Sequence, residues 1–133
     1  MSAIDRVLLD TSAFIDLEEI DLGVYRDARG VPSGVTLAEL SYGLDVDDPV
    51  ERLARTEHLE RALAELEVLP FDLPVARIFG TLASLVRRNG RNPRPRRLDL
   101  QIAATAAAHR VPLLTRNPGD FRSFAPPLEV LPV

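Results

Sequence analysis

The chain has 133 residues, a 46% hydrophobic share, a 27% charged share and a formal net charge of −4. These values are typical of one globular domain, and the negative balance argues against a protein that coats nucleic acid indiscriminately. Cysteine and lysine are both absent, which excludes disulfides, thiolate metal sites and chemistry that depends on a lysine. We therefore expect a single domain over residues 1–133.

No apolar run approaches the ~20 residues of a membrane span. No secretory signal is visible before the first predicted strand. The sequence therefore predicts a cytoplasmic protein with no membrane association.

Strand and helix patterns alternate from one end of the chain to the other. In the first half, the sequence predicts a strand at 7–10, a helix capped by Ser12 and running towards Glu18, a weak strand at 31–34, and helices at 36–44 and 49–65. A short strand at 67–70 follows, and then an amphipathic helix from 75 to a stop at Asn89-Gly90. The last part is predicted to form a helix at 99–110, a strand at 111–115, a short helix from 117 and a last strand at 128–131. Residues 7–9 are apolar without alternation, as buried parallel strands are. The order predicts an α/β fold whose helices cover both faces of a central parallel sheet.

Four acids occur where an apolar segment meets a turn or cap signal: Asp10, Glu39, Asp99 and Asp120. In parallel sheets, functional sites form beyond the carboxyl ends of the strands, and Asp10 and Asp120 follow two such ends. If the fold gathers the four carboxylates, their mutual repulsion calls for a cation. With no cysteine and no histidine pair, the ligands are oxygens, which favours Mg²⁺ or Mn²⁺ over zinc.

Each acid also has a structural interpretation. Thr36 and Glu39 fit a capping box, in which Glu39 would bond the backbone amide of the cap residue. Asp99 and Asp120 could be favourable acids in the first turn of a helix. Asp99, however, heads an apolar helix face, where an unpaired charge is costly. This favours the metal hypothesis for the set as a whole.

An arginine-rich stretch precedes Asp99 and contains six arginines: Arg87, Arg88, Arg91, Arg94, Arg96 and Arg97. They could cap a helix and solvate a proline-containing loop. They could also grip RNA phosphates beside the acids, since the arginine fork suits phosphate geometry. The second interpretation assigns RNA contacts to Arg94, Arg96 and Arg97. Arg116 is either a further substrate contact or an exposed loop charge.

Four motifs lie in the order and at the spacing of one known family: Leu8-Leu9-Asp10-Thr11-Ser12, Leu37-Ala38-Glu39-Leu40 with Gly43, Asp99-Leu100-Gln101-Ile102-Ala103-Ala104-Thr105-Ala106, and Thr115-Arg116-Asn117-Pro118-Gly119-Asp120-Phe121. Together they resemble the PIN-domain ribonuclease family, and most closely the VapC toxins of bacterial toxin–antitoxin pairs. The resemblance implies a three-layer α/β/α PIN-like domain, metal-dependent RNA cleavage to 5′-phosphate and 3′-hydroxyl ends, a homodimer within a toxin–antitoxin hetero-oligomer, and inhibition by a cognate VapB-type antitoxin.

By matching position, the resemblance implies an acidic catalytic set of Asp10, Glu39, Asp99 and Asp120, with Thr115 and Asn117 in support. We expect Asp10 and Asp99 to bind Mg²⁺ or Mn²⁺ directly. Glu39 and Asp120 would hold water or complete a second metal site.

Other acid-pocket proteins fit less well. A receiver domain needs a lysine, and a haloacid-dehalogenase-type phosphatase needs an aspartate where this chain has Ser12. The remaining alternative is a non-catalytic interaction protein whose acid pocket receives a partner's arginine.

Overall fold

The computed structural model describes residues 5–17, 22–23, 26–121 and 130–132. The strands are β1 (Arg6–Leu9), β2 (Arg29–Val31), β3 (Leu113–Thr115) and β4 (Val130–Pro132). The α-helices are α1 (Thr11–Ile15), α2 (Gly34–Tyr42), α3 (Pro49–Glu65), α4 (Leu73–Arg88) and α5 (Arg97–His109), and single 3₁₀ turns cover Arg94–Arg96 and Pro118–Asp120.

The strands form one parallel sheet in the order β2-β1-β3-β4. In its register, Leu8 of β1 lies beside both Val31 and Leu113, and Leu9 lies beside Leu114. Strand β1 is therefore central, with its two neighbours reached by different crossovers. At the carboxyl end of β1, the connections to β2 and to β3 lead towards opposite edges of the sheet. Functional sites of α/β sheets form at such a point.

Helices cover both faces of this sheet. Leu8 and Leu113 point into one buried cluster with residues of α4 and α5. Leu9 and Leu114 point into the opposite cluster, which includes Phe14 of α1 and Ala62 of α3. Because successive side chains of a strand face opposite ways, one short apolar run fills both cores. The predicted three-layer α/β/α fold with a central parallel sheet is confirmed.

Two local predictions are wrong. Residues 67–70 do not form a strand: Leu69 makes a single parallel bridge with Ser33, and its backbone bonds Pro32 and Gly34. Ser12 does not cap α1, because the helix starts at Thr11 and its N-cap is Asp10, two residues before Ser12.

Two predicted ends lie outside the described residues: the end of the first helix at residue 18, and the start of the last strand at residue 128. Among the residues described, no helix has the length and apolar character needed to cross a membrane.

Candidate functional site

Four carboxylates line one small cavity of about 130 Å³ beyond the carboxyl ends of β1 and β3. Each comes from a different part of the fold: the end of β1, the middle of α2, the first turn of α5 and the 3₁₀ turn after β3. The remaining wall includes Asn117 and two apolar side chains, Ile102 and Phe121, both buried. The carboxylates are Asp10, Glu39, Asp99 and Asp120.

Asp10 is the most firmly held of the four, and its side chain is only 5% exposed. Its Oδ1 accepts hydrogen bonds from the backbone N–H of Ala13 at 2.8 Å and from the Ser12 hydroxyl at 2.9 Å. The first of these is the N-cap bond of α1, so the helix itself orients the carboxylate. Its Oδ2 accepts a short hydrogen bond from the Thr115 hydroxyl.

Thr115 joins two parts of the site. Its hydroxyl donates to Asp10 and accepts from the backbone N–H of Asn117 at 3.0 Å. This second bond shapes the turn that carries Asn117 and then Asp120 to the cavity. Thr115 itself is fully buried, so these bonds do not compete with water.

Glu39 is held by a tertiary contact and not by a cap. The N-cap of α2 is Ser33, whose Oγ accepts from the backbone N–H of Thr36 at 3.1 Å. The structural alternative, a capping box of Thr36 and Glu39, is therefore excluded, because α2 begins at Gly34 with Ser33 as its N-cap. The Glu39 carboxylate instead accepts a 2.8 Å hydrogen bond from the hydroxyl of Thr11, on α1.

Asp99 and Asp120 are held differently. Among the described residues, no side chain donates a hydrogen bond to either carboxylate. Burial raises the pKa of the Asp99 carboxyl, and the negative charges of Asp120, Asp10 and Glu39 raise it further, while Arg96 lowers it. The three other carboxylates of the cavity therefore all lie close enough to Asp99 to disfavour its charged form.

The donor set fits a hard divalent cation. All four side chains offer oxygen, and the cavity has room for a hydrated ion, because one water needs only ~10–15 Å³. No three Asp, Glu or His side chains of the described chain already form a group that could hold a metal among them. An ion held in this cavity would therefore keep several of its waters, as Mg²⁺ usually does.

The predicted RNA-contacting arginines fall into three situations. Arg94 and Arg97 are exposed at the turn that leads into α5, and Arg97 donates to the backbone carbonyl of Arg94 at 3.2 Å. Arg96 is partly buried and close enough to Asp99 to lower its pKa. Arg116 forms an ion pair with Asp16 at 2.6 Å, which ties the β3 turn to the end of α1.

Comparisons with known proteins show which family the chain belongs to. The family model for the PIN domain matches residues 7–125. The chain belongs to the PIN-domain family. This PIN domain is 36% identical to Ribonuclease VapC5 of Mycobacterium tuberculosis over 124 residues, which cover 88% of this chain and 86% of that protein.

Two solved structures resemble this PIN domain over nearly its full length. The crystal structure of VapBC-5 from Mycobacterium tuberculosis, a member of the VapBC family of toxin–antitoxin systems, gives a TM-score of 0.77 at 32% identity and covers 96% of this chain and 98% of that one. The crystal structure of FitAcB from Neisseria gonorrhoeae gives a TM-score of 0.73 at 27% identity and covers 94% of this chain and 96% of that one. Both likenesses extend through the part of the chain that carries the acids.

The sequence predicted the four acids that line the cavity and Thr115 in support, but it missed the hydroxyls of Thr11 and Ser12, which bond Glu39 and Asp10. Thr11 and Ser12 directly follow Asp10, and Thr36 precedes Glu39 by one helical turn. The nearness of these hydroxyl residues to the acids in the sequence is the feature from which their supporting role could have been predicted. Their spacing predicts helix caps instead, which is the more frequent role of such residues.

Proposed function

We propose that this PIN domain is a metal-dependent endoribonuclease that acts as the toxin of a toxin–antitoxin pair. The observation that carries the proposal is that four carboxylates from separate parts of the chain line one cavity, and the raised pKa of Asp99 agrees with their closeness. Such a group of like charges is stabilised by a divalent cation. The names of the relatives, a ribonuclease and toxin–antitoxin complexes, support the RNA substrate and the toxin role.

Asp10 and Asp99 are the residues we assign to the metal, Mg²⁺ or Mn²⁺. Asp10 is already oriented by three donors, yet its Oδ2 keeps a free lone pair after accepting from Thr115. Asp99 accepts no hydrogen bond from a described side chain and can turn towards the ion. A bound divalent ion would supply a water of lowered pKa and neutralise charge that develops on the phosphodiester.

The other residues of the cavity orient water and substrate in this proposal. Glu39 and Asp120 face the cavity and can accept hydrogen bonds from water placed for attack on the phosphorus. Thr115 fixes the position of Asp10 relative to the turn that carries Asn117, because its hydroxyl bonds both. No side chain has to act as a covalent nucleophile.

We further propose that Arg94 and Arg97 contact RNA phosphates. They are exposed, and the turn that carries them leads directly into the first turn of α5, where Asp99 lies. Arginine guanidinium groups suit phosphate oxygens through paired hydrogen bonds. Arg96 and Arg116 are less available for RNA, since Arg96 acts on Asp99 and Arg116 is paired with Asp16.

A cognate antitoxin is the partner we propose, within an assembly that contains a toxin homodimer. The support is that the similar solved structures are toxin–antitoxin complexes. Co-expression of this chain with the product of an adjacent reading frame, followed by light scattering on the purified complex, tests the pairing. Recovery of this chain alone, in monomeric form, would contradict it.

RNA cleavage by the purified chain, freed of any antitoxin, tests the enzymatic proposal. We expect cleavage with Mn²⁺ or Mg²⁺, none with EDTA, and recovery when the metal is restored. Asp99→Asn should lower the rate at least ~100-fold while the far-ultraviolet circular dichroism is unchanged. Thr105→Val is the control, because Thr105 lies in α5 but bonds only the Gln101 carbonyl of its own helix.

Undiminished cleavage by Asp99→Asn would contradict the proposed role of this residue. If the wild-type chain binds its antitoxin but cleaves no RNA under any metal condition, the acid cavity serves a non-catalytic interaction instead.

A further inference from the structure

Three hydroxyl groups form a chain that ends on the Glu39 carboxylate. The Ser33 hydroxyl lies 3.4 Å from the Thr36 hydroxyl, which lies 3.0 Å from the Thr11 hydroxyl. Thr11 in turn donates to Oε1 of Glu39 at 2.8 Å. The contacts shorten towards the carboxylate, so the bond at the acid is the best formed of the three.

The direction of each hydrogen in this chain follows from counting donors. A hydroxyl carries one hydrogen, and Thr11 uses its own on Glu39. Thr36 must therefore donate to Thr11, and Ser33 can donate to Thr36. All three hydrogens point towards the carboxylate, which is the terminal acceptor.

Burial makes this arrangement a fixed one. Ser33 and Thr36 are fully buried, and buried hydroxyls without partners are costly. Ser33 is also anchored as the N-cap of α2 and by its bridge to Leu69. The chain therefore starts from a rigid point of the fold and crosses from α2 to α1.

The chain also couples the two acids that the fold holds most firmly. Thr11 is the first residue of α1, and Asp10 is the N-cap of the same helix. The same helical turn thus orients Asp10 through its backbone and Glu39 through the Thr11 hydroxyl. Asp99 and Asp120 receive no such support from the described side chains.

We infer that Thr11 and Thr36 are positioning residues that preset the Glu39 carboxylate relative to Asp10 before a divalent cation enters the cavity. This inference rests on the proposed function, because it assigns the preset pair to that metal site. Thr11 acts directly on Glu39, and Thr36 acts one step back by orienting Thr11. The effect of removing each hydroxyl should follow that order.

Binding of Mn²⁺ alone, without RNA, tests the inference by isothermal titration calorimetry. Thr11→Val removes the hydroxyl at nearly constant volume and should weaken Mn²⁺ binding by about 10-fold, because the Glu39 carboxylate, which accepts from water on the ion in the proposed function, loses the donor that orients it. Thr11→Ser restores the donor and should bind within about threefold of wild type. Thr36→Val should give an intermediate loss, because Thr11 can still donate to Glu39.

Thr105→Val is the matched control, since Thr105 is as deeply buried as Thr36 but bonds only within α5. It should leave Mn²⁺ affinity unchanged. In a Glu39→Gln background, Thr11→Val should cause no further loss of affinity, because both changes remove the same interaction. Equal Mn²⁺ affinity of folded Thr11→Val and wild type would overturn the inference, and so would failure of Thr11→Ser to restore binding.

If the Thr11→Val chain does not fold, Thr11→Ser and Thr36→Val decide the inference. Wild-type affinity in Thr36→Val would then overturn it. The titration also separates this inference from the proposed function. Wild-type protein that binds Mn²⁺ but cleaves no RNA would contradict the proposed function, while the threonine variants still decide the positioning roles.

Discussion

The hydroxyl of Thr115, at the end of β3, donates to the carboxylate of Asp10, at the end of β1. The two strands are neighbours in the sheet, so this bond joins their carboxyl ends beside the acidic cavity. Asp10 also starts α1, and the Thr115 hydroxyl also accepts from the Asn117 N–H. One bond thus links the strand ends, a helix start and the turn that carries Asp120.

The Thr115 link should be measurable as stability. Thr115→Val leaves Oδ2 of buried Asp10 and the Asn117 N–H without this partner, which should lower the free energy of unfolding by about 1–3 kcal/mol. Thr115→Ser keeps the hydroxyl and should cost less than about 1 kcal/mol. Urea unfolding of the metal-free protein compares the variants. A loss in Thr115→Val no larger than that in Thr115→Ser would mean that the hydroxyl contributes no more to stability than the methyl group that serine lacks, which would contradict the prediction.

Removing Asp10 should destabilise the fold. Asp10→Ala deletes the N-cap of α1 and leaves the Thr115 hydroxyl without its acceptor, for an expected loss of about 2–3 kcal/mol. Asp72→Ala is the matched control, because Asp72 caps α4 through Val75 but does not line the cavity. It should cost about 1 kcal/mol. If the two substitutions lower the free energy of unfolding equally, Asp10 stabilises the fold only as a helix cap.

Removing Asp99 should have the opposite effect in metal-free protein. Its pKa is raised in the folded state by burial and by the neighbouring acids, so the folded state binds the proton more tightly than the unfolded state does. Stability is therefore lost as pH rises from the ordinary value of 3.8 through the folded pKa. Asp99→Asn removes this loss and should raise Tm at pH 7 by roughly 2–4 °C, a small effect because water in the open cavity screens the repulsion.

The gain in Tm from Asp99→Asn should depend on pH and on metal. It should shrink as pH falls through the raised pKa of Asp99 towards the ordinary value of 3.8, because the folded wild type is then protonated at Asp99 and carries no repulsion there. Mn²⁺ at a fixed concentration should stabilise wild type more than the variant, because the stability added by binding to the folded state grows with the logarithm of the Mn²⁺ concentration divided by Kd. Differential scanning calorimetry at several pH values, with EDTA or with Mn²⁺, measures both trends. A gain that is constant across pH would point to a cause other than charge.

Arg94 and Arg97, in the turn that leads into α5, should strengthen RNA binding through charge and not through recognition of the RNA sequence. Arg94→Gln with Arg97→Gln removes two phosphate contacts, which should reduce the slope of log K against log salt for single-stranded RNA by about 1.4. Arg61→Gln with Arg77→Gln changes net charge equally at exposed positions on α3 and α4. Fluorescence anisotropy of the Asp99→Asn protein measures binding without cleavage. Identical slopes for both pairs would mean that the turn is only solvated surface.

The alternation of strands and helices could be predicted from the sequence because its signals are local. Residues 7–9 form an unbroken apolar run, Pro49 opens a helix, and Asn89-Gly90 follows the end of one. Residues 67–70 also carry a strand-like pattern, but Leu69 is used for a bridge to Ser33. A four-residue run does not reveal whether a sheet edge lies within reach, which is why that prediction is wrong.

The identities of the four acids and the order of the layers were determined by the sequence alone, through periodicity, caps and motif spacing. Only the tertiary structure decided which donors serve each carboxylate. Thr11 meets Thr36 across 25 positions of the chain, and Thr115 meets Asp10 across 105. Whether a threonine caps a helix or supports an acid depends on what the folded chain brings opposite its hydroxyl, and local spacing carries no information about that.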